Sequence, residues 1–131
     1  MDIISTKDGL KYLQPGYASN HVFSSLTEGS IISAVKSDGP YLGNGRSINK
    51  TTYNAKPQKK QYKVALVIAP NKDYHWYVQN SNGYWSHKRG LTKAINIDAS
   101  GKKITNPQTC NRKYSGVNYS TFCGFYMVTR K

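Results

Sequence analysis

The chain has 131 residues, 37% of them hydrophobic, and carries 19 Lys and Arg against 6 Asp and Glu, a formal net charge of +13. Such a length fits one domain able to bury a core, and the composition excludes a disordered or fibrous chain. No apolar run approaches the roughly 20 residues of a membrane-crossing helix, so no membrane partner is expected.

The charge is unevenly spread. Residues 1 to 45 hold Lys7, Lys11 and Lys36 against Asp2, Asp8, Glu28 and Asp38, a net of −1. Residues 46 to 131 hold the remaining sixteen basic side chains against Asp73 and Asp98, a net of +14. The expected organisation is a single domain, 1–131, with a near-neutral helical part over 1–45 and a basic, β-rich part over 46–131. A field of this strength concentrates anionic partners, so a polyanion is the expected partner. The start of the chain, Met1-Asp2-Ile3-Ile4-Ser5-Thr6, lacks the basic and apolar segments of a signal peptide, so an intracellular protein is expected. Cys110 and Cys123 are then expected to stay reduced.

The first predicted element begins at Thr27-Glu28-Gly29-Ser30. Thr27 serves as N-cap, Glu28 lies near the positive end of the helix dipole, and Ile31, Ile32 and Val35 form the apolar stripe. Gly39 and Pro40 end it. Residues 41 to 60 show little apolar periodicity and read as a loop or tethered extended segment. Tyr62-Lys63-Val64-Ala65-Leu66-Val67-Ile68 is an apolar, β-branched run that reads as a central strand buried on both faces.

Two aromatic strands then flank Ser81-Asn82-Gly83, a strong hairpin signal because Asn and Gly both tolerate positive φ. His75 and His87 come close to facing one another if the turn centres on Asn82. A second turn, Asp98-Ala99-Ser100-Gly101, separates 94–97 from 102–105, and Thr121 to Val128 reads as a strand returning to the sheet. The predicted class is α+β, a mostly antiparallel sheet with one or two helices on a face.

Lys63 to Val128 contains Asp73-Tyr74-His75-Trp76-Tyr77, Gly83-Tyr84-Trp85-Ser86-His87-Lys88, Asp98-Ala99-Ser100-Gly101, Asn106-Pro107 and Phe122-Cys123-Gly124. In these residues, about half of the chain, it resembles a little-characterised group of proteins of large DNA viruses and some bacteria. Fuller members of that group carry an Asn-Cys-Tyr motif ahead of a Gln-Pro-Gly segment, and the resemblance implies a papain-like cysteine hydrolase layout. Gln14-Pro15-Gly16 matches the second element, but no cysteine precedes Cys110. A papain-like site needs a thiolate activated by a histidine and an orienting Asn or Asp. His75 could be the base and Asn80, Asn96 or Asp98 the orienter; the nucleophile is missing from its place. The resemblance therefore implies a degenerate papain-like core in which His75 and His87 are vestigial.

A metal-free nuclease is a second option, with His75 and His87 as acid and base and Lys88 and Tyr84 beside them. The three histidines, two cysteines and six acids show no metal-ligand spacing, and Gly43-Asn44-Gly45 lacks the strand and helix of a phosphate loop, so no metal or cofactor is expected. Binding uses what is abundant: Lys59, Lys60, Lys88, Arg89, Lys93, Lys102, Lys103, Arg112 and Lys113, at or beside turns, could follow a phosphate backbone. Among Tyr74, Trp76, Tyr84 and Trp85, packing competes with stacking on unpaired bases. The expected function is sequence-tolerant binding of nucleic acid, DNA before RNA, by an inactive protein that coats or compacts a genome. Only the resemblance makes that genome viral or that of a mobile element, and places the protein in a virion or host cytoplasm. The alternatives are the hydrolase or nuclease using His75, and a self-assembling virion structural protein, a homo-oligomer, whose basic face meets an acidic one.

Overall fold

A computed structural model describes residues 25–38, 46–88 and 93–130. The expectations placed on Gln14-Pro15-Gly16, His21, Gly39-Pro40, Gly43-Asn44-Gly45 and Arg89 lie outside the described residues.

Helix α1 spans Glu28–Asp38. Thr27 starts it as expected: its hydroxyl accepts from Ser30 N at 3.3 Å, satisfying an amide that has no partner within the helix, and its carbonyl accepts the first helical bond from Ile31 N at 3.0 Å. Strands β1 (Ser47–Thr51), β2 (Gln61–Ala69), β3 (Asp73–Gln79), β4 (Trp85–His87) and β7 (Thr121–Thr129) form one antiparallel sheet in the order β1-β7-β2-β3-β4. Short strands β5 (Lys113–Tyr114) and β6 (Val117–Asn118) pair separately. The α+β class stands, with one helix among the described residues.

The apolar run of β2 occupies the middle of the sheet, where both faces are covered. Val64, Leu66 and Ile68 pack with Ile31, Ile32 and Val35 of α1, together with Ile48, Trp76, Tyr126 and Val128. Their alternates Ala65, Val67 and Ala69 pack on the other face with Tyr77, Trp85, Ile104, Tyr119 and Phe125. A strand with period-two side chains can fill two cores only if both alternating sets are apolar, as they are here. Trp76 and Trp85 are thus core residues and have no face to offer a base.

Residues 47–51, expected in a loop or tethered extended segment, form the edge strand β1, whose register with β7 sets Ile48 opposite Val128. Ile48 alone supplies its buried side chain, too little periodicity to read from sequence; the pairing with β7 supplies the rest. The 80–84 hairpin is present, but only Gly83 has positive φ there, and Asn82 instead accepts Tyr84 N through its side chain. Against β2, β7 carries a bulge between Phe122 and Gly124. Gly124 has φ +155, a conformation that favours glycine, and a Cβ there would lie 2.8 Å from Lys50 Cε and make the end of that side chain shift. Lys50 binds Glu28 at 2.8 Å and the Cys123 carbonyl at 3.3 Å, tying the helix to the bulge. Burial opposes the Glu28 charge, but the Lys50 and Tyr126 hydrogen bonds outweigh it and hold its carboxyl below the usual range.

Candidate functional site

The loop-rich segment 93–120 covers the second face of the sheet, and the two sheet histidines meet beneath it. The register pairs Tyr77 with His87, so His75 stands one diagonal step away on the same face. His75 Nε2 lies 2.9 Å from His87 Nδ1, and His87 Nε2 lies 2.8 Å from the Ile97 carbonyl. A carbonyl only accepts, so His87 carries its proton on Nε2; in the neutral pair its Nδ1 then accepts from His75 Nε2–H. His75 stacks on Tyr119 at 5.1 Å and meets Tyr77 edge-on at 5.4 Å, while His87 lies 5.0 Å from Tyr77. The Tyr119 hydroxyl donates to Asp73 at 3.2 Å.

This arrangement differs from an acid–base pair poised over a substrate. Both imidazoles are buried, at 8% and 3% exposure, and each has the other as a hydrogen-bond partner. The residues proposed to orient His75 have other tasks. Asn80 donates to Ser86 Oγ at 2.6 Å, Asp98 organises its own turn, and the Asn96 side chain is exposed while its backbone carbonyl accepts Ile104 N. Cys110 and Cys123 are free thiols. Burial raises the Cys110 thiol, and burial with the Glu28 charge pushes Cys123 up to about 11, the reverse of an activated nucleophile. Among the described residues no group of three or more His, Cys, Asp or Glu is placed to hold a metal, and no helix is long and apolar enough to cross a membrane.

Asp98 is the hub of the covering loops. Its carboxylate accepts from Ser100 N at 2.9 Å, Ser100 Oγ at 2.7 Å, Lys102 N at 3.1 Å and Asn111 N at 3.2 Å. Burial opposes its charge, but these donors prevail and hold it at about 2. An Asp ahead of a positive-φ Gly101 was the readable signal for the turn; its reach to Asn111 was not, because that residue is thirteen positions away.

The basic residues divide by what they touch. Arg112 is spent internally: its guanidinium donates to the carbonyls of Pro107, Gln108 and Tyr119 at 2.6, 2.6 and 2.8 Å, and more weakly to Ser120. It is an anchor for the loops and not the polyanion contact expected of it. Lys59, Lys60, Lys93, Lys102, Lys103 and Lys113 are exposed, and Lys88 is half-buried. Lys63, outside the expected set, is 1% exposed; its ammonium donates to the Tyr53 carbonyl, and burial lowers its pKa. Asp98 ties the turn that carries Lys102 and Lys103 to the segment entering β5, where Lys113 lies, and the antiparallel register puts Lys59-Lys60 and the 80–84 tip at the same end of the sheet.

No protein-family model and no solved structure matches the chain. It is similar to insoluble matrix shell protein 1 of Ruditapes philippinarum, with 37% identity over 117 residues that cover 89% of this chain and 70% of that protein. This likeness overturns the expectation of a DNA-binding protein coating a viral or mobile-element genome, because the relative is a shell matrix protein. The expectation failed for a physical reason: net charge raises the concentration of any polyanion and does not tell one from another. Nor does a shell matrix relative support an intracellular or virion location. None of the three comparisons bears on the resemblance to the Asn-Cys-Tyr group.

Proposed function

The chain belongs to the family of insoluble matrix shell protein 1, and on that premise we propose that it is a non-catalytic structural component of an extracellular shell matrix. It is retained there by ionic contact between its exposed lysines and anionic matrix components. The family relationship carries the reading. Two features support it: the exposed lysines at the loops and one sheet end, and a histidine pair used for packing. The structural alternative, a basic face meeting an acidic surface, is kept; its virion setting is dropped.

Partition of the purified protein into demineralised, insoluble shell matrix tests the reading. Retention at low salt that is lost at about 1 M salt is expected, since the Debye length falls there to about 3 Å. Equal recovery in the soluble fraction at both salt concentrations would overturn it.

A further inference from the structure

The Asp98 hub leaves a surface whose chemistry is more specific than charge. Lys103 Nζ sits 5.0 Å over the Tyr84 ring, a cation–π contact on a half-buried aromatic at the hairpin tip. Antiparallel bridges hold this contact in place: Trp85 pairs with Ile104, and Ile97 with Lys103. Lys102 lies in the turn that Asp98 organises and Lys113 opens β5, two residues after the Asn111 amide that Asp98 holds; both are exposed. The Asp98 carboxylate is occupied by backbone and hydroxyl donors, so the exposed Lys102, Lys103 and Lys113 outnumber one committed acid at the turn. Asn82 at the tip is exposed and offers its amide donors, its Oδ1 being taken by Tyr84 N, and Ile97 beside Lys103 is 38% exposed.

Cations, a tyrosine ring and neutral amides within one loop cluster match a polymer that alternates anionic groups with apolar ring faces. We propose that Tyr84, Lys102, Lys103 and Lys113 form a binding surface for an acidic polysaccharide, sulfated or carboxylated. The inference rests on the matrix reading and names its partner. The ammonium groups take the sulfates or carboxylates, and the tyrosine ring takes the C–H face of a pyranose. An acidic polypeptide would use the lysines but gain little from the ring.

The test is calorimetric titration of the full chain with heparin, alginate, neutral dextran, polyaspartate and duplex DNA at one ionic strength. Heparin or alginate is expected to bind more tightly than polyaspartate and DNA, and dextran not to bind. The double variant Lys102→Gln/Lys103→Gln should weaken the acidic polysaccharide about tenfold, and Lys36→Gln/Lys56→Gln, of equal charge but outside the cluster, much less. Tyr84→Leu, which keeps apolar bulk, should weaken it about threefold and Tyr84→Phe should not. Equal binding of polyaspartate or DNA, or equal loss in both double variants, would overturn the proposal. Retention in the insoluble matrix without polysaccharide preference would sink the surface but not the matrix reading. Polysaccharide binding without retention would sink the matrix reading alone.

Discussion

His75 and His87 share one hydrogen bond, 2.9 Å between Nε2 and Nδ1, beneath the loop that carries Ile97. The bond fixes both tautomers and joins β3, β4 and the covering segment. Replacing either histidine by phenylalanine strands a buried nitrogen of the other. Each single variant is expected to lose about 1–3 kcal/mol in urea unfolding, and the double variant less than the sum, because the orphaned partner is gone as well. Additive losses would mean that the two rings act separately.

The Asp98 hub gives a pH dependence with a definite sign. Its folded carboxyl sits at about 2 against an ordinary 3.8, so its contribution is complete above about pH 4 and is lost as the pH falls toward 2. Acid unfolding of the wild type should therefore steepen in that window. Asp98→Ala should remove the added steepness and cost about 1–3 kcal/mol at pH 7. Thermal melts at pH 7, 4 and 2.5 check both.

Gly124 cannot take a side chain without moving Lys50. Gly124→Ala should destabilise by about 1–3 kcal/mol, through the 2.8 Å approach to Lys50 Cε and the strained φ of +155 together. Adding Lys50→Ala relieves the clash and not the φ, so Gly124→Ala should cost less in the Lys50→Ala background than in the wild type. Chemical denaturation of the four proteins provides the comparison.

Arg112 and Lys113 are neighbours in sequence with different duties. Arg112→Ala should lower stability by about 2–3 kcal/mol, since its guanidinium satisfies several loop carbonyls, and Arg112→Lys should recover little of it because an ammonium lacks the planar fork. Lys113→Gln, at an exposed position, should stay within about 0.5 kcal/mol of wild type. Differential scanning calorimetry resolves the difference.

The pattern of local side chains was enough to read α1, β2, the 80–84 hairpin and β7, because each is fixed by its own periodicity, cap or turn residue. The strand at 47–51 was not legible, since Ile48 is its one buried side chain and its place comes from pairing with β7. The same division runs through the candidate site. Sequence counted the lysines and put His75 and His87 on facing strands of one hairpin, but it could not say that the histidines bond to each other under residues 93–97.

By itself the sequence determined a basic α+β chain with a doubly buried central strand. Only the tertiary structure decided which cations are spent and which are offered. Arg112 and Lys113 read alike in a charge count; the difference arises when the carbonyls of Pro107, Gln108 and Tyr119 converge on one guanidinium and leave the adjacent ammonium in water. Charge is a property of composition, whereas its availability depends on which backbone groups the fold brings within reach.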